Sequence, residues 1–245
     1  MKPTHLIALL LLLSFNVQGQ TRFYNSVKIE FEKTVYVRQL YKEVSPRWYE
    51  MVKDRVPETS LSYFDFTGDN AKSIYKPGRE VQTDPRMRND FAADKNVVYT
   101  DFASGRSTTQ KPVFEETFLV EDSLVKIKWK LTPDTRIIAG FECRKAVGIM
   151  NDSIGVFAFY TDELMISGGP ESVQGLPGMI LGMGVPRLHT TWFATKVEVN
   201  GVNMNSVIPA TKGKKVNYKT MVESLDKVLK NWGAEGKKLL MIYMI

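Results

Sequence analysis

Past residue 19 the chain holds a single histidine, His189, and a single cysteine, Cys143, and this scarcity bounds the chemistry open to it. A Ser-His-Asp arrangement has to use His189, and a Cys-His pair needs His189 and Cys143 together. Both residues sit in alternating, strand-like runs without a special flanking turn, so both read as structural. Zinc sites built from His and Cys lack ligands, and no metal site is expected. No Gly-rich phosphate loop with a following lysine occurs, and no dinucleotide fingerprint, so no cofactor is expected. The carboxylate pairs Glu115-Glu116 and Asp162-Glu163 fall at turns, where charges face solvent. Met165, Met179, Met183, Met204, Met241 and Met244 offer thioethers that suit Cu(I), but such side chains also fill irregular cores, the reading adopted here. No catalytic residue is assigned, and the chain reads as a non-enzyme.

The most specific segment is Gly168-Gly169-Pro170-Glu171-Ser172-Val173-Gln174-Gly175-Leu176-Pro177-Gly178-Met179-Ile180-Leu181, a Gly- and Pro-rich stretch running into uncharged apolar sequence. Glycine reaches backbone angles barred to other residues and proline fixes one torsion, so the segment specifies a shaped loop entering a buried strand. Gly175 or Gly178 is expected to need a positive φ. The run Gly175-Leu176-Pro177-Gly178-Met179-Ile180-Leu181, with the preceding Gly169-Pro170, resembles the signature of the GLPGLI family, with Met179 in place of a leucine. Ile138 to Ala146 and Phe157 to Leu164 resemble that family's upstream elements. The resemblance implies secreted or periplasmic proteins of Bacteroidota, often encoded beside TonB-dependent outer-membrane receptors, with no established activity.

The first residues give an address. Lys2 precedes the apolar block Leu6–Leu13, and Val17-Gln18-Gly19 suits signal peptidase. This block is far short of the roughly 20 apolar residues a membrane span needs. The pattern is that of a cleaved signal over residues 1–19, cut after Gly19. No cysteine follows it, so a lipoprotein is not expected; the mature protein is expected in the periplasm or medium, without a transmembrane span. The net charge of +6 is spread among alternating acids, as in Lys28-Ile29-Glu30-Phe31-Glu32-Lys33, and does not cluster as phosphate binding requires. Nucleic acid is therefore not an expected partner. One cysteine also forbids an internal disulfide, so stability must come from a core.

The elements that must position any site are mostly strands. Period-two alternation runs from Val27 through Val37, and turn signals recur at Thr67–Asn70, Ala103–Arg106, Glu121–Ser123 and Asn151–Ser153. Each predicts a hairpin, including one pairing Thr117–Val120 with Leu124–Leu131. Ser45 and Pro46 open a short helix through Val56. Pro77 to Lys95 reads as a long loop, and Lys212-Gly213-Lys214-Lys215 as a solvated turn. Leu188 to Val199 alternates again. Val222, Leu225, Val228, Leu229 and Trp232 share a helical stripe, stopped by Gly233. Leu239 to Ile245 forms a terminal strand or packs on the core. The fold class is mainly β: a curved antiparallel sheet, open and half-barrel-like, with a short N-terminal helix and a C-terminal amphipathic helix packed on it, making one domain over residues 20–245.

These readings favour a non-enzymatic envelope binding or accessory protein. Its apolar ligand, a lipid or hydrophobic peptide, would touch Val222, Leu225, Leu229 and Trp232, with the Gly/Pro loop at the rim; the resemblance adds a TonB-dependent receptor system as partner. The alternative is a hydrolase of envelope polymers using carboxylates not identified in the sequence. A deep apolar groove favours binding, whereas carboxylates converging in a polar cleft favour hydrolysis.

Overall fold

A computed structural model describes residues 24–81 and 95–245 of the chain. The 1–19 leader and most of the Pro77–Lys95 segment lie outside those residues. The described residues are mainly β. Twelve strands form one open, curved, mixed sheet: β1 Ser26–Val35, β2 Ser60–Asp69, β3 Lys72–Pro77, β4 Val97–Asp101, β5 Arg106–Val113, β6 Glu116–Ser123, β7 Lys128–Ile138, β8 Phe141–Met150, β9 Ile154–Thr161, β10 Met179–Val185, β11 Thr190–Glu198 and β12 Lys214–Val216. Their spatial order is β12-β6-β5-β4-β3-β2-β1-β11-β10-β9-β8-β7.

The hairpins expected at Thr67–Asn70, Ala103–Arg106 and Asn151–Ser153 form as β2-β3, β4-β5 and β8-β9. The fourth does not. β6 and β7 lie toward opposite ends of the sheet, and Leu124–Ile127 bridges them. A chain stretch from Ser123 to Lys128 spans no more than about 18 Å. The two ends of the sheet must therefore approach each other, and this short link forces the curvature. Lys214–Val216, expected as a solvated turn, instead pairs parallel to β6 at the edge.

Two departures occur in the helices. β1 stops at Val35, and Val37–Val44 is a helix, α1, whose buried Val37, Leu40 and Val44 have helical spacing. A second helix, α2, follows at Pro46–Val52 with proline in its first turn, shorter than expected and with no side-chain cap from Ser45. Toward the other end, α3 spans Tyr218–Leu229 and α4 spans Gly233–Tyr243, so Leu239–Ile245 is helix and buried end rather than strand. The 3-10 turn Lys230–Trp232 separates the two helices, and Gly233, at φ 62°, opens the second.

The main core is one large cluster of buried side chains. Val27, Ile29, Phe31, Phe64, Phe66, Met179, Leu181, Met183 and Trp192 are buried there with Cys143 and Ile245. Burying each large apolar side chain contributes about 1.5–3 kcal/mol. The face of α3 that reaches the sheet is Met221, Leu225 and Leu229, packed on Val113, Phe118 and Val120. Among the described residues no helix is long and apolar enough to cross a membrane.

The Gly/Pro loop is a constrained entry to β10. Gly178 has φ 143°, and a Cβ there would stand 2.0 Å from the Thr161 carbonyl oxygen. Gly175 has φ 93° but open surroundings, with Trp129 Nε1 at 3.7 Å. Leu176, Ile180 and Leu181 are buried, and Ile180 N donates to Gly168 O at 2.9 Å.

Candidate functional site

Strand alternation builds the site. Along β5, Ser107, Thr109, Lys111 and Val113 share one face, and register places Val120 and Asp122 of β6 opposite Thr109 and Ser107. Val98 of β4 lies opposite Thr109 on the other side, with Asn96 just before the strand. All of these but Val113 wall a cleft of about 570 Å³, closed by the 124–128 bridge, Asn151, Asp152, Glu171, Ser172, Tyr218, Met221, Met244 and Ile245. A shallower hollow of about 390 Å³ adjoins it across Ser123–Ile127 and reaches Gly175 of the Gly/Pro loop.

The floor of the cleft is polar, charged and buried. Lys111 is 6% exposed, Glu171 4% and Asn96 1%. Asn96 Nδ2 donates to Glu171 Oε2 at 2.9 Å and to Ile245 O at 3.4 Å. Lys111 Nζ donates to the same Ile245 oxygen and, at 3.3 Å, to Tyr243 O. Burial pushes the Lys111 ammonium down to about 8, opposed by the Glu171 carboxylate and assisted by nearby Lys33. Glu171 sits at φ 55°, a left-handed turn that aims it inward from the loop.

The upper wall is tied by Asp122, which accepts from Tyr218 N at 3.0 Å and from Ser123 N at 2.7 Å. A carboxylate at the first residue of α3 also suits the positive end of the helix. Asn151 Nδ2 donates to the Tyr218 hydroxyl at 2.7 Å, and that hydroxyl donates to Met244 O at 3.2 Å. Burial raises the Tyr218 phenol well above its usual range, so it stays a neutral donor.

Two N–H donors, Lys111 Nζ and Asn96 Nδ2, thus converge on one oxygen, that of Ile245. Three carboxylates, Asp122, Asp152 and Glu171, line the same cleft and supply the residue type for general acid–base work.

The residues singled out from sequence lie elsewhere. Leu225 and Leu229 are buried against the sheet and Val222 is half-buried, whereas Val228 and Trp232 are 56% and 51% exposed; none of them lines the cleft. Gly168, Gly169, Pro170, Gly175, Leu176, Pro177, Gly178, Ile180 and Leu181 shape the loop, and their neighbours Glu171 and Ser172 enter the cleft. Cys143 is buried, its thiol pushed up to about 12. His189 Nε2 lies 2.9 Å from Glu43 Oε1, outside the cleft. Among the described residues no group of His, Cys, Asp or Glu is placed to hold a metal ion. Sequence reasoning missed Asn96, Lys111 and Glu171. One signal was present: a lysine at an inward position between Thr109 and Val113.

The segment that builds most of these walls also carries the decisive comparison. A family model described as "N-glycanase peptide, N-terminal domain" matches residues 110–232, half of the chain. The chain belongs to this family. Two solved structures of PNGF-II, one in space group P21 and one in C2, share the fold of this N-glycanase N-terminal domain member. They are 14% and 15% identical to it, each with a TM-score of 0.52 over 86% of its length. The chain spans about a third of the PNGF-II chains, 34% and 33% respectively. No curated relative matches it.

These findings correct the family drawn from the Gly175–Leu181 motif. The whole Gly/Pro loop falls inside the N-glycanase match, and the GLPGLI assignment is withdrawn. The non-enzymatic envelope accessory reading is overturned with it, because the family takes its name from a glycan-cleaving enzyme. The motif misled because constrained Gly/Pro turns specify backbone shape and not chemistry.

Proposed function

We propose that this chain works on N-linked glycans as a module of glycanase type, and that the cleft at Lys111, Asn96 and Glu171 receives the junction between sugar and asparagine. The carrying observation is the N-glycanase family match over residues 110–232, which contains Lys111, Asp122, Asn151, Asp152, Glu171 and Tyr218 of the cleft wall. Chemistry supports the same reading. The glycan–asparagine linkage is an amide, and Lys111 and Asn96, both bonded to Ile245 O, are donors of the kind that its carbonyl accepts from. The lining carboxylates and hydroxyls offer acceptors and donors to sugar hydroxyls, in a volume within the usual range for ligand pockets. The 1–19 leader pattern supports a place outside the cytoplasm, where N-glycoproteins are met.

The test is incubation with an asparagine glycopeptide carrying a chitobiose core. The reading expects saturable binding and release of the glycan, seen as conversion of the peptide's asparagine to aspartate by mass. Neither binding nor release at millimolar glycopeptide would overturn it.

A further inference from the structure

Glycine inside a strand weakens it and often marks a place where another group comes close to the backbone. β10 carries two, Gly182 and Gly184, on either side of the buried Met183. The groups that come close are aromatic rings. A Cβ on Gly182 would stand 2.7 Å from the Phe193 ring, and one on Gly184 2.4 Å from the Phe157 ring. Register brings them there: Phe157 lies opposite Gly184, and Phe159 and Phe193 flank Gly182 from β9 and β11. The rings form a row, with Phe193 6.4 Å from Phe159 and Phe159 6.0 Å from Phe157. All three are half-buried, whereas their strand neighbours Ala158 and Trp192 are in the main core, so alternation puts the row on the other face of the sheet.

Arg136 of the edge strand β7 ends this row. Its guanidinium carbon lies 4.6 Å from the centroid of the Phe193 ring and 6.0 Å from that of Phe159. The residue is exposed. The other cations nearby on this hairpin are neutralised, Lys145 by Asp134 and Arg144 by Asp162, but among the described residues no carboxylate pairs with Arg136. Glu32, next to Phe193 in the register, accepts from the Tyr63 hydroxyl at 2.7 Å instead. A guanidinium resting on rings keeps its N–H groups in its own plane, directed past the rings, where the fork fits both oxygens of a carboxylate.

We infer that Arg136, Phe193, Phe159 and Phe157 form a second glycan site, one that takes a sugar bearing a carboxylate. Arg136 receives the carboxylate, and the Phe159 and Phe157 rings receive the C–H faces of the sugar and its neighbour along the chain. A sugar ring is apolar on its faces and polar at its rim, and Thr191 and Thr34, aligned with Gly184 across β11 and β1, offer hydroxyls to that rim. A purely apolar partner would cover the rings and leave the guanidinium without a counter-charge. The choice of a sugar rests on the function proposed above. The site itself shares no residue with the cleft at Lys111.

Titration of the full chain with sialyllactose, lactose and acetate, followed by calorimetry, separates the parts of this site. Sialyllactose should bind saturably and at least tenfold more tightly than either lactose or acetate. Arg136→Gln should erase the advantage over lactose, and Arg136→Lys, which keeps the charge but loses the fork, should remove most of it. Phe157→Ala should weaken both sugars and leave acetate unchanged. Arg136 is exposed, so its variants should melt with the native protein, and Lys111→Met should leave sialyllactose binding as it was. Equal affinity for sialyllactose and lactose, equal affinity for sialyllactose and acetate, or binding that survives Arg136→Gln overturns the inference. Glycopeptide release without sialyllactose binding overturns this site and leaves the proposed function standing; sialyllactose binding without glycopeptide binding or release does the reverse.

Discussion

Asn96 Nδ2 donates to Glu171 Oε2 at 2.9 Å across 75 residues of chain, tying the start of β4 to the loop before β10 inside the cleft. This bond fixes the Asn96 amide so that the same nitrogen also reaches Ile245 O. Asn96→Ala removes the amide donor from a buried carboxylate and should cost about 1–3 kcal/mol. Asn96→Asp should cost more, because it sets two buried carboxylates side by side. Urea unfolding checks both; an unchanged midpoint in both variants rules out the bond as a structural tie.

Two glycines of one loop should respond differently. Gly178 combines φ 143° with a Cβ position 2.0 Å from the Thr161 carbonyl oxygen, whereas Gly175 has φ 93° and space around it. Gly175→Ala is expected to cost about 1–2 kcal/mol of backbone strain. Gly178→Ala adds a backbone collision and should lose well over that amount or fail to fold. Melting temperatures in the opposite order would contradict the loop geometry.

The buried lysine makes a pH prediction. Lys111 titrates near 8 in the fold against 10.5 ordinarily, so between those values the unfolded chain binds more protons than the folded one. Stability contributed at this residue therefore rises with pH across that window, by about 3 kcal/mol at most. The penalty is complete below pH 8 and gone above 10.5. Unfolding free energies of the native protein should climb relative to Lys111→Met between pH 8 and 10.5. A constant difference across the window contradicts the burial of an ammonium.

Cys143 is expected to resist alkylation under native conditions, since its thiol is buried and pushed up to about 12. Cys143→Ser should cost roughly 1–3 kcal/mol by placing a hydroxyl in an apolar site. Rapid modification by iodoacetamide without denaturant would contradict this.

The parts of the fold that were legible are local ones. Turn residues at Thr67–Asn70 and Asn151–Ser153 join strands that pair directly, so alternation and turn chemistry suffice. Glu121-Asp122-Ser123 has the same turn composition, yet Asp122 caps the start of α3 and the chain crosses to the far end of the sheet. Val35 and Val37 continue a period of two into what is a helix, and only the further spacing to Leu40 and Val44 reveals it. Trp232 has the right spacing for the α3 stripe but falls in a separate turn, whereas Met221 is what packs. The cleft was not legible because Asn96, Lys111, Glu171 and Ile245 are ordinary residues far apart in sequence. Their chemistry arises only when the curved sheet brings them together.

The central claim is that this cleft recognises the junction of glycan and peptide, and the most direct measurement is a comparison of three ligands by calorimetry. These are a chitobiose-bearing asparagine glycopeptide, the free chitobiose and the same peptide without sugar. The account predicts that the glycopeptide binds at least tenfold more tightly than either half, and that Lys111→Met erases the difference. Equal affinity for glycopeptide and free sugar, unaffected by Lys111→Met, would contradict it.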